Sequence, residues 1–275
     1  MTQLVELIPF AKEIPGVLVY DLALEGLLSL DDTIDKYLID LPPWSSNITV
    51  LDLLFYASGL PNIDFKLIKN DSLAYDYLKS NKSINPTSKY IYSNWNNFIL
   101  AKIVENVVNK EFQVYVQENY FNKLEIYNSF YDSTITSITD SMTSAYSSEF
   151  GNDQTGHPNF KRFKLCYAPL YMTTGDVLKW IEFVHDKYRR EMKYSQHFFR
   201  ETSLESQGPL GVIQHQNGKV TLHTHGGYSY SYGTATYRNY HNGIAVISMT
   251  NKNRGTEVID FHNKVLDILR SNGLN

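Results

Sequence analysis

The chain has 275 residues, 43% of them hydrophobic and 20% charged, enough for one large globular domain with a buried core. Its net charge is −4 and its cations are scattered, the densest group, Lys187–Arg190, reading as a solvated helix end, so no nucleic-acid surface is expected. There is no run of about 20 apolar residues to span a membrane, and the single cysteine, Cys166, can form no intrachain disulfide and reads as a small core residue.

The N-terminal MTQLVELIPF has neither the basic leader nor the long apolar core of a signal peptide. As written, the chain is expected to be soluble and cytoplasmic, or extracytoplasmic if a longer N-terminus exists. Val17, Tyr20, Leu24, Leu27 and Leu28 recur at helical spacing, which predicts an amphipathic helix over 15–28 with Pro15 in its first turn. Short elements and turns follow to about residue 62, broken at Pro42-Pro43 and Pro61, and Asp31-Asp32 reads as a helix cap.

Helices are predicted over 94–110, burying Phe98, Ile99, Ala101, Ile103 and Val107, and over 111–120. The polar stretch 130–165 reads as a surface excursion, with helix resuming over 173–190. Four antiparallel strands are expected at 210–217, 219–225, 229–238 and 243–250, with Gly226-Gly227 as one turn. The last strand, GIAVISMT, is apolar on both faces, the usual pattern of a central strand. A closing helix over 256–271 puts Val258, Phe261, Val265, Ile268 and Leu269 on one face. The fold class is α+β: one domain over 1–275, with a mainly helical lobe (30–205), a sheet lobe (206–275) and a cleft between them.

Three stretches carry chemistry. TVLDLLFYASGLPNID (49–64) holds the turn Ser58-Gly59-Leu60-Pro61. YIYSNWNNF (90–98) sets Tyr92 and Asn94 just before a helix, where Asn94 could also act as an N-cap. LHTHGGYSYSYGTATY (222–237) holds His225, Gly226 and Gly227. His223 and His225 share a strand face, as metal ligands can, but no third ligand stands nearby in sequence, so neither a metal nor any other cofactor is expected.

Taken together with LEGLLSLDDTIDKYL (24–38) and YVQENYFNKLEIYNSFY (115–131), these stretches resemble the serine β-lactamase-like family of class C β-lactamases, DD-peptidases and esterase relatives. The resemblance runs from about residue 8 to 252. It implies that Tyr92 and Asn94 form the Tyr-x-Asn motif and that His225, Gly227 and Tyr228 belong to the His-x-Gly motif, all facing the cleft. The family's Ser-x-x-Lys, counted back from Gly26, puts the lysine on Lys12 and the serine on Pro9.

In such a site a hydroxyl attacks an acyl carbon while Lys and Tyr manage its proton, and two N–H groups hold the oxyanion. Proline at position 9 supplies neither hydroxyl nor N–H, and the second oxyanion donor would be Tyr228 N–H. Lys12, Tyr92 and His225 therefore read as vestiges of a catalytic set, with Asn94, Gly227 and Tyr228 as ligand-binding residues. Pro15-Gly16 further suggests a helix that starts late and leaves Lys12 ahead of it. Ser58 and Ser93 lack the Gly-x-Ser-x-Gly context of a nucleophile.

The leading expectation is a catalytically impaired relative that binds a peptide, acyl or cell-wall-like ligand. The alternatives are an active esterase or peptidase with an unrecognised nucleophile or a further N-terminal segment, and a scaffold that works through a sheet edge. The family normally carries two sheet strands before Ser-x-x-Lys, and only eight residues precede Pro9. Strand 243–250 is thus expected to have an open edge around Ile244 and Val246 through which the chain pairs as a homodimer.

Overall fold

A computed structural model describes residues 4–60, 70–81, 89–131, 143–144, 146–147, 154–155, 170–190, 208–217, 219–229, 232–252 and 256–274. Cys166, Pro61 and most of the 130–165 stretch lie outside the described residues.

Strand β1 (Val5–Glu6) pairs antiparallel with β5 (Leu170–Met172), and Leu7 N donates to Leu170 O at 2.7 Å. That ladder feeds straight into helix α1 (Ile8–Leu24), whose first bond runs from Ala11 N to Leu7 O. The expected start at residue 15 is therefore corrected to Ile8, and Lys12 lies inside the helix. Pro9 sits in the first turn, where a missing N–H leaves no bond unmade. Pro15 lies in the interior, at a penalty of about 3 kcal/mol. Packing outweighs it: Phe10, Ile14, Val17, Leu18, Val19 and Leu22 are all essentially fully buried, each gaining about 1.5–3 kcal/mol.

Gly16 marks a close approach and not a helix start, because a Cβ there would stand 3.0 Å from Leu210 Cδ2. The helix ends at Leu24, not 28. Gly26 turns the chain with φ +73°, and Leu27 is exposed.

Helices α2 (Val50–Leu54) and α4 (Trp95–Val108) pack beside one another, and α4 also covers one side of α1. Thr49 and Asp52 form a reciprocal capping box that starts α2. Helix α3 (Asp71–Ser80) and the short α5 (Phe112–Val116) extend the helical side, and α6 (Thr174–Arg190) crosses back toward the sheet. Strand β2 (Phe130–Tyr131) completes a three-stranded sheet with β5 and β1, while β3 (Tyr146–Ser147) and β4 (Gln154–Thr155) form a separate pair.

The main sheet is an antiparallel meander in spatial order β6 (Val212–Gln216), β7 (Lys219–Ser229), β8 (Tyr232–Asn239), β9 (Ala245–Thr250). Gly226-Gly227 is not a turn: β7 continues through it, with Gly226 opposite Ala235 and Gly227 opposite Thr234. Glycine weakens a strand without stopping it when both neighbours supply a ladder.

Helix α7 (Glu257–Ser271) covers one face of the sheet, where Ser248 Oγ and His262 Nδ1 lie 2.8 Å apart, and α1 and α6 lie against the other. Both faces of β9 are thus covered, which accounts for its apolar pattern. Among the described residues it nevertheless has only β8 beside it, so it is an outer and not a central strand. The buried row of α7 is Val258, His262 and Leu266, whereas Phe261 and Ile268, expected in the core, are 60% and 62% exposed. Period alone gave the apolar arc; a buried histidine paired to Ser248 sets the actual rotation.

Gly211 joins the sheet to the helical side with φ +77°, and a Cβ there would stand 2.5 Å from Thr224 O. Gly211→Ala should destabilise the fold by more than about 2 kcal/mol, read from urea denaturation, because it combines backbone strain with overpacking.

Candidate active site

The site rests on two loops tied together beneath it. Tyr56, itself at φ +51°, accepts from Ile91 N through its carbonyl at 2.8 Å, and its hydroxyl accepts from Asn97 Nδ2 at 2.7 Å. Ser58 Oγ donates to Asn96 Oδ1 at 2.6 Å, and Asn96 Nδ2 donates to Ser93 O at 2.7 Å. Four buried side chains from the Ser-Gly-Leu-Pro turn and the first turn of α4 thereby fix the Tyr-x-Asn loop. Ser58 and Ser93 are 1% and 0% exposed and engaged in this scaffold, so neither offers a free hydroxyl.

Above that base the Tyr92 ring meets Tyr56 edge-on at 5.2 Å and stays 40% exposed. Lys12 Nζ, reaching from α1, donates to the Tyr92 hydroxyl and lies 4.9 Å from its ring centroid. Tyr92 OH in turn donates to Asn94 Oδ1 at 3.2 Å. Asn94 makes no side-chain cap on α4, so its amide serves the tyrosine and not the helix. Lys12, Tyr92 and Asn94 are thus brought together in one hydrogen-bonded chain, with the first turn of α1, holding Pro9, three residues upstream.

The remaining sequence candidates are on β7. Tyr228 is 52% exposed and Gly227 partly buried. His225 is buried, and its place in an open cleft is corrected by what it bonds: its Nδ1 lies 2.7 Å from Glu13 Oε2, so Nδ1–H donates to the carboxylate. The same carboxylate accepts from Trp180 Nε1 of α6 at 2.9 Å and stands 3.9 Å from His223 Nε2, which donates to Leu210 O at 2.7 Å.

Glu13 is the residue that sequence reasoning missed. It is the carboxylate beside the two histidines, but its short bonds and the engaged His223 nitrogen make an internal network, not a cradle for an ion. Among the described residues no group of three or more such side chains is placed to hold a metal.

Burial pushes the Glu13 carboxyl upward, but the His225 hydrogen bond, the two imidazoles and Trp180 outweigh it and hold its pKa below the ordinary 4.5. Burial also lowers the His223 pKa, against the pull of Glu13, and lowers that of His262. A histidine whose folded pKa is depressed contributes stability above its unfolded value, which is lost as pH falls through that value. Stability should therefore decline as pH drops below about 6.5, and further below 4.5, where the unfolded chain's glutamate takes up a proton before the folded Glu13 does, both readable as urea midpoints across pH. Glu13→Gln, which strips a buried partner from His225, should destabilise the protein by about 3–5 kcal/mol in the same assay at neutral pH.

The family model for beta-lactamase matches residues 11–267. The chain is 25% identical over 199 residues to Protein flp of Staphylococcus aureus (strain NCTC 8325 / PS 47), covering 67% of this chain and 40% of that protein. It is 31% identical over 115 residues to the teichoic acid D-alanine hydrolase of Staphylococcus aureus, covering 40% and 27% respectively. The chain therefore spans well under half the length of these relatives.

The penicillin binding protein from Bacillus halodurans superposes with a TM-score of 0.75 at 19% identity, over 96% of this chain and 86% of that one, which establishes the fold. The anticipated β-lactamase/transpeptidase-like architecture is the one observed. With its model matched over nearly the whole length, the chain belongs to the beta-lactamase family.

Proposed function

We propose that this protein is a nucleophile-free member of the family that binds an acyl or peptide ligand in the cleft without forming an acyl-enzyme. The observation that carries this reading is the pairing of Lys12 with Tyr92 and Asn94 while the residue three before Lys12 is a proline. A lysine–tyrosine pair moves protons, but acyl transfer also needs an atom to attack the carbonyl. Removing the nucleophile from comparable hydrolases lowers kcat by about 10⁶.

Binding does not need that atom. Lys12 and the Tyr92 hydroxyl can hold a carbonyl or ester oxygen, Asn94 fixes the tyrosine, and Tyr228 offers an exposed aromatic face. A D-alanyl ester or a short cell-wall peptide suits such a surface, in keeping with the relative named as a teichoic acid D-alanine hydrolase. The preserved Lys12–Tyr92 pair also favours a second reading, an active esterase or peptidase whose hydroxyl comes from elsewhere.

Incubation with a fluorophosphonate and with a penicillin, followed by intact-mass spectrometry, separates the two. Neither adduct is expected, and p-nitrophenyl acetate turnover should stay at background; a stoichiometric adduct on any residue would sink the nucleophile-free reading. In parallel, D-alanine methyl ester titrated against the protein should shift amide resonances around Tyr92. Lys12→Ala should weaken that binding by about tenfold or more, the value of a hydrogen bond to a charged group.

A further inference from the structure

We infer that the cavity between α6 and the turn after α5 is a second ligand site, which takes a small zwitterion with an apolar body, such as a free amino acid with a large apolar side chain. It lies apart from the cleft. Asp21, at its inner end, follows Lys12 on α1 by nine residues, which is about 14 Å along the axis and two and a half turns around it. The two side chains therefore leave opposite sides of the helix.

Two long side chains tie α6 to α1: Trp180 Nε1 donates to Glu13, and Lys187 Nζ lies 2.5 Å from Asp21 Oδ1. The other oxygen of Asp21 accepts from the Tyr120 hydroxyl at 2.9 Å. Burial and the Asp21 charge push the Tyr120 pKa far up, so it stays a donor. Tyr120 belongs to a π-helical turn, Gln117–Phe121, closed by Asn122 N on Gln117 O at 2.9 Å. Such wide turns are rare and recur at functional sites.

Two hollows of about 250 and 630 Å³ adjoin there, with Leu124, Phe183 and Lys187 lining both. The larger falls in the size range of small-molecule sites. Its apolar lining is Leu124, Leu178 and Phe183, and Leu178 keeps 41% of its surface exposed. The smaller hollow is charged, with Asp21 and Glu25 facing Lys123 and Lys187 across it. One hollow thus suits a polar head and the other an apolar body.

The charges in the smaller hollow select the head. Asp21 and Lys187 neutralise each other, whereas among the described residues the side chains of Glu25 and Lys123 make no hydrogen bond or ion pair. Asp21 takes one of the three N–H groups of Lys187, whose Nζ lies 5.3 Å from the Phe183 ring centroid, so the ammonium has N–H to give a ligand. Burial and the Glu25 charge raise the Tyr115 pKa, which sets that carboxylate beside an aromatic ring. A ligand of one charge would leave either Glu25 or Lys123 unanswered. A zwitterion answers both: its carboxylate accepts from Lys123 and Lys187, and its ammonium sits at Glu25 against Tyr115. Its side chain then runs into the larger hollow, over Leu124 and Phe183.

Titration of the full chain with phenylalanine, followed through its amide resonances, tests this. The expected result is saturable shifts over 119–124 and 178–187, with Tyr92 unmoved. Phenylalaninamide, which lacks the carboxylate, and N-acetylphenylalanine, which lacks the ammonium, should each bind about tenfold or more weakly than phenylalanine. Glu25→Gln and Lys123→Gln, both at exposed positions, should each weaken phenylalanine by a similar factor with an unchanged melting curve. No saturable shift up to the solubility limit of phenylalanine, shifts confined to the cleft, equal binding of the two derivatives and the parent, or indifference to both substitutions would each overturn the proposal.

Discussion

One buried carboxylate joins the elements that make the site. Glu13 receives a hydrogen bond from Trp180 on α6 and another from His225 on β7, with His223 close behind. The ionised group is stable there because two donors and the field of the neighbouring His223 ring replace its water, which is why its pKa falls despite full burial. Its position also sets the rotation of α1. Lys12 is the next residue back, about 100° around the helix, so turning Glu13 toward the sheet turns Lys12 toward Tyr92.

The Tyr-x-Asn side of the site uses a different device. Two loops with little regular structure are held by neutral hydrogen bonds among Tyr56, Ser58, Ser93, Asn96 and Asn97, all buried. Asn97 Oδ1 is left without a partner, but the other bonds hold the two loops together, since losing any one of them strands another buried group. The scaffold that would position a catalytic serine is thus present around a helix turn that holds proline. On the proposed reading that contrast separates binding from turnover: the residues proposed to orient an acyl group are present, and position 9 offers no hydroxyl to attack it.

Much of this was legible in the residues. The resemblance carried by the order of the motifs implied that Tyr92, Asn94 and Lys12 share one site, although Pro15-Gly16 suggested a late helix start that would leave Lys12 ahead of it. What stayed hidden depends on distance along the chain. Glu13 looks like an ordinary helix charge until Trp180 and His225, 167 and 212 residues away, fold onto it. Pro15-Gly16 reads as a boundary because local propensity opposes a helix there; burial of α1 on all sides overrides that propensity. Gly226-Gly227 reads as a turn for the same reason, and flanking strands keep it in the ladder. The rotation of α7 was ambiguous because both Val258–Leu266 and Phe261–Ile268 are apolar rows, and one partner, Ser248, decides between them.

The most direct measurement is to supply the missing atom. Pro9→Ser restores a hydroxyl and an N–H at the first turn of α1, where proline is not required for the helix to start. If Lys12, Tyr92 and Asn94 form an otherwise intact site, that variant should acquire a stoichiometric fluorophosphonate adduct mapped to residue 9, with the unsubstituted protein inert. An inert Pro9→Ser variant that folds normally, or equal labelling of both proteins, would contradict a site lacking only its nucleophile.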